Sequence, residues 1–388
     1  MTVSVVSGVR NVLTPRALTQ LLLGWIAFVV LLIAHPVLKG PLSTPALFAL
    51  LAAIVVVIVV CAFGVVTQAE RLAHRLGDPY GTLVLTLSIV VIEVVLISAV
   101  MLGPGDHSTI ARDSVMAVSM IILNLVIGIA LLVAGVRHRA LEPNSAGVSS
   151  YLSLLVVLLP AAFVLPGLIG SEGAYESGQA VPILITTLVL YAFFLYRQMG
   201  PQRDDFQEVT AAPSAPGATT TSEGHRSRSS ILEVLSAHRT EVLSRAVVLV
   251  LTVIPIVLLS HDMAALLDEG VARIGAPVEL SGILISMIVF LPETITTIRA
   301  AHTGEIQRVS NLCHGALVST VGLTIPAVLV IGLITGQTVH LAESPANIAL
   351  LGVTLLLTVT SFFSKKITAV HGAAHLMTFL LYVLIVFS

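Results

Sequence analysis

Long apolar runs separated by short polar segments occupy most of the chain. Eleven of these runs have about 20 mostly apolar residues, the length that an α-helix needs to cross the hydrocarbon core of a bilayer. Gly and Pro inside several runs are compatible with this, because neighbouring membrane helices can satisfy the freed backbone groups. The pattern predicts an all-α polytopic membrane protein with runs at 16–37, 44–66, 79–102, 113–135, 149–170, 179–198, 243–262, 277–299, 308–334, 345–363 and 369–388.

The composition also favours lipid as the main solvent. Of the 388 residues, 56% are hydrophobic and only 10% are charged, and the mean hydropathy is +1.02. A soluble domain needs more charge to cover its surface. The formal net charge of −2 gives no indication of nucleic acid as a partner. Cys61 and Cys313 both lie in apolar runs, where we expect small core residues rather than a disulfide.

Two segments differ from the regular pattern. Arg10 and Arg16 precede the first apolar run, which is longer than the apolar part of a secretion signal and has no small-residue cleavage site after it. We therefore expect an uncleaved membrane helix.

Residues 199–242 are rich in Pro, Ser, Thr and Gly and bury too little apolar surface to offset the entropy of ordering. They are predicted to form a flexible cytoplasmic linker, a tether rather than a regulatory element, with a short amphipathic helix near 231–243.

The basic residues predict how the chain crosses the membrane. With the N-terminus inside, 16 of the 19 Lys and Arg residues fall on the cytoplasmic side, and only Lys39, Arg112 and Arg273 fall outside. Such an excess of cytoplasmic positive charge is typical of membrane proteins. The expected location is the cell inner (plasma) membrane, crossed many times, with the N-terminus cytoplasmic and the C-terminus outside.

Two apolar runs each carry a single acid near their middle. A carboxylate at this depth costs roughly 2.5–3.5 kcal/mol even on insertion scales, and is usually kept for function. Aligning Gly81 with Ser281 without gaps places Glu93 on Glu293. The same alignment places Thr86 on Ser286, seven residues earlier and on the same helical face, and each run is preceded by a Gly-X-Pro segment.

The matched runs indicate two related halves. The halves begin at the second and seventh runs and have five helices each, so the second enters the membrane from the opposite side. Inverted repeats with polar sites at the midplane recur in transporters. The expected organisation is an N-terminal tail with the first helix at 1–42, a first five-helix repeat at 43–198, the linker at 199–242 and a second five-helix repeat at 243–388.

The chemistry of the paired acids favours ion exchange. Pro292 is expected to interrupt its helix and free backbone carbonyls beside Glu293, and carboxylate, carbonyl, amide and hydroxyl oxygens suit Ca²⁺ and other hard cations. Without a cation, two close carboxylates in a low dielectric repel each other, so protons can replace the metal. A passive channel, and a structural role in which a protonated Glu donates a hydrogen bond between helices, are the alternatives.

These residues resemble the bacterial calcium/proton antiporter branch of the calcium/cation antiporter (sodium/calcium exchanger) superfamily. The similar stretches are 81–101, Arg112-Asp113 through Asn124 to Gly128, Arg137-His138, and Leu291-Pro-Glu293 through Asn311 to Gly322-Leu-Thr-Ile-Pro326. The resemblance implies cation and proton binding by Glu93, Glu293, Asn124 and Ser319, with a second tier of Thr86, Ser286, Thr294 and His314.

One departure from the family leaves the ion open. Many members of the superfamily have Gly-Asn shortly before each acid, and this chain does not. The transported cation is therefore expected to be Ca²⁺, with Na⁺ or K⁺ exchanged for protons as the alternative, and no cofactor is expected. The sequence does not predict an oligomeric state.

The remaining candidates have simpler interpretations. His314 either relays protons or bonds a neighbouring backbone group, and His371 with His375 suits packing or surface exposure better than metal binding. Asp113 is expected to cap the fourth helix. The acids of the outer segment between the seventh and eighth helices are expected to lie in a solvated loop; they are Asp262, Asp268, Glu269 and Glu279.

Enzyme motifs are missing from the sequence. It contains no HExxH, no GxSxG and no GxxxxGK[ST]. This disfavours a membrane protease and an ATP-driven pump, and leaves a secondary transporter.

Overall fold

The part of the chain that the structure describes contains eleven long helices. The structure is a computed structural model, and it describes residues 12–38, 42–76, 80–102, 108–138, 141–208, 239–277, 279–364 and 366–388. The helices are α1 (Pro15–Leu38), α2 (Thr44–Leu76), α3 (Tyr80–Met101), α4 (Ile110–Arg137), α5 (Ser145–Phe163), α6 (Ser177–Met199), α7 (Arg239–Ile274), α8 (Glu279–Thr303), α9 (Ile306–Thr335), α10 (Pro345–Phe362) and α11 (Ala369–Val386).

Each predicted apolar run corresponds to one of these helices. Ten of them have the length and composition of a membrane span among the described residues. The helix α3 has 22 residues and a single charge, and at 1.5 Å per residue it is about 33 Å long, enough to cross a bilayer. The prediction of an all-α polytopic membrane protein is confirmed.

The helix α7 is much longer than its apolar run. It has 36 residues, and the chain between the predicted end at 262 and Gly275 contains no Pro that would stop it. Gly275 adopts φ +67°, and Ala276 N donates to Val271 O to close the helix. Asp262, Asp268 and Glu269 therefore lie in the last turns of α7, and the expectation of a solvated loop for them is wrong.

The segment after α6 is packed rather than flexible. Residues 203–206 form a 3₁₀ turn, and Phe206 is 1% exposed, with its ring 5.2 Å from that of Tyr151 and 5.9 Å from that of Phe194. Asn311 Nδ2 donates to Phe206 O at 2.7 Å. The prediction of a flexible linker over 199–242 is wrong for residues 201–208, because one aromatic side chain supplies the apolar anchor. It is also wrong for residues 239–242, which belong to α7. Residues 209–238, with most of the predicted amphipathic helix, lie outside the described residues.

The centre of the bundle is formed by α3, α4, α8 and α9. Of the candidate spans, α4, α8 and α9 have the largest buried shares, while α1, α6 and α11 are mostly turned outward. The middle of α4 is a π-helical segment, Ile121–Val126, a wider turn that is frequent at functional sites. Cys61 and Cys313 are buried and unbridged, as expected.

The helices α4 and α11 approach each other closely enough to exclude side chains. A Cβ on Gly372 would overlap the backbone of Leu132 and the carbonyl of Gly128. We predict that Gly372→Val lowers the midpoint of thermal unfolding in detergent, since overpacking costs roughly 1–3 kcal/mol.

The matched control is Gly352→Val on α10, where a Cβ meets nothing within 4 Å. An equal loss of thermal stability in both variants would show that the close approach of α4 and α11 is not what requires glycine.

Candidate ion-binding site

Glu93 lies in the middle of α3 and contacts the second half of the chain. It is the one charged residue of this helix, and it is 3% exposed. Thr320, in the middle of α9, donates its hydroxyl to Glu93 Oε2 at 2.7 Å. Glu93 Oε1 has no hydrogen-bond partner among the described residues.

Glu293 has the same depth in α8 and fewer partners. It is 4% exposed, and neither carboxylate oxygen has a hydrogen-bond partner among the described residues. Beside it is a cavity of about 10 Å³, enough for about one water molecule. Its walls come from α4, α8 and α9, and are Ile122, Val126, Phe290, Glu293, Thr294, Thr297, Leu312, Cys313 and Ala316.

Pro292 does not interrupt α8. The helix runs from Glu279 to Thr303 with this proline inside it, so the expected break beside Glu293 is wrong. The missing N–H still leaves one carbonyl of the preceding turn without its helical donor. The nearby threonines do not bond the acid: Thr294 and Thr296 donate to the carbonyls of Phe290 and Pro292.

The two glutamates lie on helices that meet at the centre of the bundle. Helices α3 and α8 contact each other, and both contact α9. Three of the four carboxylate oxygens accept no hydrogen bond from the described residues. Buried carboxylates in this state are stable only if protons or a cation neutralise them.

Asn124 is turned away from the glutamates. It is fully buried in the π-helical segment of α4, and its Nδ2 donates to Thr354 Oγ1 at 2.9 Å. Its Oδ1 lies 3.4 Å from His375 Nδ1. The structure therefore groups Asn124 with α10 and α11, and its role as an ion ligand stays a prediction.

Ser319 is also occupied elsewhere. Tyr191 of α6 donates its hydroxyl to Ser319 Oγ at 2.9 Å. Neighbouring residues of a helix point about 100° apart, so only one member of the Ser319-Thr320 pair can face α3, and it is Thr320. Thr320 is therefore a functional candidate that the sequence does not single out, because it stands beside Ser319 in the same apolar run.

The second-tier residues are scattered around this site. Ser286 is buried in α8, and Thr294 borders the cavity. The side chain of Thr86 lies outside the described residues. His314 is fully buried, with Nδ1 2.9 Å from Ser310 Oγ and its ring 4.8 Å from Phe362. It therefore bonds a side chain, and the alternative of a backbone partner is wrong.

The two histidines of α11 have structural contacts. His375 is fully buried and reaches Ser361 Oγ at 3.2 Å as well as Asn124. His371 Nδ1 accepts from Thr368 N at 3.2 Å, at the start of the helix. Packing is thus the better description of both, as the sequence indicated.

The matching family model covers most of the chain in two pieces. The model described as "Sodium/calcium exchanger protein" matches residues 46–200 and 244–388. This chain belongs to the sodium/calcium exchanger family. Family membership supports a transporter rather than an enzyme.

Two relatives are similar over most of their length. The protein y4hA of Sinorhizobium fredii is 32% identical over 326 residues, which cover 83% of this chain and 84% of y4hA. The sodium-potassium/proton antiporter ChaA of Escherichia coli is 29% identical over 327 residues, which cover 84% of this chain and 86% of ChaA.

Solved structures of other exchangers have the same fold. Native YfkE has a TM-score of 0.67 at 16% identity, with 95% of this chain and 99% of YfkE covered. The H⁺/Ca²⁺ exchanger CAX has a TM-score of 0.66 at 15% identity, with 95% of this chain and 88% of CAX covered.

This exchanger carries an ionic cluster at the start of α4 and α10. Asp113 is not the cap of α4, because the helix begins at Ile110, with Thr109 before it. Asp113 instead pairs with Arg112 at 2.8 Å. Arg112 also lies 4.0 Å from Glu343, whose carboxylate accepts from Asn347 Nδ2 at 2.8 Å.

Glu343 is expected to make the stability of the protein depend on pH. Burial raises the pKa of Glu343, while the hydrogen bonds of Asn347 and Ser344 and the charge of Arg112 oppose the rise. The folded protein then binds this proton more tightly than the unfolded chain does. The stabilisation is complete below the ordinary glutamate pKa and is lost as pH rises through the raised pKa of the folded state.

We predict that Glu343→Gln weakens this loss of stability between acidic and neutral pH. The measurement is the thermal unfolding midpoint in detergent as a function of pH, with Glu142→Gln on an exposed segment as the control. Superimposable pH profiles for the wild type and Glu343→Gln would contradict the assignment.

Proposed function

We propose that this chain is a secondary antiporter that exchanges a cation for protons at Glu93 and Glu293. The observation that carries the proposal is the set of three carboxylate oxygens, deep in α3 and α8, that accept no hydrogen bond from the described residues. A buried charge without partners costs several kcal/mol or more. The site must therefore hold protons or a cation at every stage, and exchanging one for the other is antiport.

Charge balance favours a divalent ion. Two ionised glutamates neutralise one Ca²⁺, and two protons neutralise the same pair after the ion leaves. The hydroxyl of Thr320 already lies at Glu93 and supplies another hard oxygen. Such oxygen ligands suit Ca²⁺. Calcium is the first candidate, in line with the H⁺/Ca²⁺ exchanger CAX among the structural neighbours.

Monovalent exchange is the second candidate. The relative ChaA is named a sodium-potassium/proton antiporter, and it is 29% identical over 84% of this chain. A bound Na⁺ or K⁺ neutralises only one of the two glutamates, and a proton must neutralise the other. The same site would then exchange fewer protons per cation than it does with Ca²⁺. A channel would move ions without obligatory proton movement.

Two inverted five-helix repeats would supply alternating access. The proposed repeats, 43–198 and 243–388, agree with the two segments matched by the family model. Five is an odd number, so the repeats have opposite orientations and their central helices, α3 and α8, enter from opposite sides. The positive-inside bias supports a cytoplasmic N-terminus, an outside C-terminus and insertion in the inner membrane, with export of the cation driven by inward protons.

Loss of either glutamate should abolish exchange. We predict that inside-out vesicles with an imposed pH gradient lose that gradient when Ca²⁺, Na⁺ or K⁺ is added, and that Glu93→Gln and Glu293→Gln each prevent the loss. The amide keeps the shape of the side chain but cannot carry the charge that balances the ion.

Glu172→Gln, in the outer loop before α6, is the control for expression and orientation. A response to Ca²⁺ identifies calcium/proton exchange, and a response to Na⁺ or K⁺ alone identifies monovalent exchange. Undiminished exchange in the folded Glu93 and Glu293 variants would overturn the proposed site.

The hydroxyl of Thr320 should affect cation binding. We predict that Thr320→Val raises the apparent KM for the cation roughly tenfold, which is about 1.4 kcal/mol, because it removes one hydroxyl oxygen from the proposed site, and that Thr320→Ser recovers most of the loss. Thr324→Val, one turn later on α9 and also buried, is the matched control. Equal effects of Thr320→Val and Thr324→Val on KM would assign the effect to packing.

A further inference from the structure

The amide of Asn124 is bonded on both sides by the second half of the chain. Its Nδ2 donates to Thr354 Oγ1 of α10 at 2.9 Å and approaches Met120 Sδ at 3.3 Å. Its Oδ1 faces His375 Nδ1 of α11 at 3.4 Å. Asn124, Thr354 and His375 are all fully buried.

One placement of protons satisfies the whole network with a neutral histidine. A carbonyl oxygen only accepts, so His375 donates from Nδ1 to Asn124 Oδ1. His375 Nε2 is then the acceptor for the hydroxyl of Ser361, 3.2 Å away. Thr354 accepts from Asn124 and points its own hydroxyl at Met120 Sδ, 3.9 Å away. With the amide placed this way, both ends of the Asn124 side chain are bonded to α10 and α11.

The face of α4 that borders Glu293 is not the face that carries the amide of Asn124. The cavity beside Glu293 is bordered by Ile122 and Val126 of α4. Asn124 lies between these two residues in sequence, and its amide points to α10 and α11. In this conformation the side of α4 that faces Glu293 is apolar.

The local geometry of α4 permits a change of direction. Asn124 sits in the π-helical segment Ile121–Val126, which contains more residues per turn than an α-helix. Returning this segment to α-helical register shifts the side chains after it by one residue, which is about 100° of rotation. Such a shift requires Asn124 to leave Thr354 and His375.

We propose that Thr354 and His375 are positioning residues that hold Asn124 away from the glutamates and thereby set the apparent affinity for the transported cation. The inference rests on the proposed function and adds two residues to it. To bind the cation, Asn124 Oδ1 has to leave His375, and the amide nitrogen has to give up its hydrogen bond to Thr354. Removing either contact releases the ligand and favours the cation-bound site.

The test measures exchange against cation concentration in vesicles. His375→Leu and Thr354→Val are expected to lower the cation KM roughly threefold to tenfold, the effect of one lost hydrogen bond. His375→Asn keeps a donor near Nδ1, and Thr354→Ser keeps the acceptor, so both are expected to restore the wild-type KM.

Two threonines give matched controls. Thr358 on α10 and Thr378 on α11 donate to carbonyls of their own helices, at 2.8 Å and 3.0 Å. Their substitution by Val is expected to leave KM unchanged. An unchanged or higher KM in folded His375→Leu and Thr354→Val would overturn the proposal.

A second measurement separates positioning from packing. In an Asn124→Ala background the effect of His375→Leu on the cation KM is expected to disappear, because the side chain through which it acts is absent. Cation-dependent protection against thermal unfolding gives the same comparison for variants that transport poorly. An undiminished effect of His375→Leu in that background would overturn the proposal.

Different results would overturn the proposed function and the positioning role. If the wild type shows no cation-dependent proton movement, the proposed function fails. If the wild type exchanges ions and Glu93→Gln abolishes exchange, but His375→Leu and Thr354→Val leave the cation KM unchanged, only the positioning role fails.

Discussion

The structure depends on one constraint, the cost of two carboxylates in the low-dielectric centre of a helix bundle. Glu93 receives one hydrogen bond, from Thr320, and Glu293 receives none from the described residues. Neither has a basic partner within ion-pair distance among the described residues. In the proposed function, a cation or protons that bind and leave balance this charge, which a permanent Arg or Lys partner would prevent.

Some buried hydroxyls near the site form hydrogen bonds within their own helix. Ser119 donates to Val115 O and Thr294 donates to Phe290 O, each one turn back in its own helix. This bonding lets hydroxyls occupy a membrane helix without needing a partner from another helix. Asn124 and Ser319 are satisfied across helices instead, by Thr354 and Tyr191. Among the described residues, eight buried side-chain atoms have no hydrogen-bond partner, and three of these are carboxylate oxygens of Glu93 and Glu293. The other five belong to Ser281, Thr297, His314, Thr324 and Asn347.

The hydrophobic pattern was sufficient to predict the eleven helices, because membrane burial requires long uninterrupted apolar runs and the backbone must bond itself. The same pattern could not predict where α7 ends, since its last turns carry Asp268 and Glu269 and leave the apolar register. It also could not predict that Phe206 anchors residues 201–208, because that depends on a pocket formed by α5 and α6.

The acids of the site were found from the sequence because a charge in an apolar run is conspicuous, but their neighbours were not. Whether Ser319 or Thr320 faces α3 depends on the rotation of α9, which adjacent hydroxyls in the sequence do not reveal. The direction of Asn124 depends further on a π-helical turn, which shifts every later side chain of α4 by one position and has no clear signature in the letters Ile-Ile-Leu-Asn-Leu-Val.

The two glutamates are matched in sequence, but their surroundings in the structure differ. Glu93 holds a donor on α9, while Glu293 borders a cavity whose walls include Thr297 and Cys313. Thr297 lies toward the C-terminal end of α8, and Cys313 lies toward the N-terminal end of α9. Both helix ends are on the cytoplasmic side in the proposed topology. In the proposed exchange the site opens to the other side, and the environments of the two glutamates are then expected to be exchanged. The hydrogen bond from Thr320 to Glu93 is one of the contacts that would break, and either a cation that bridges both carboxylates or protons bound to them would compensate for its loss.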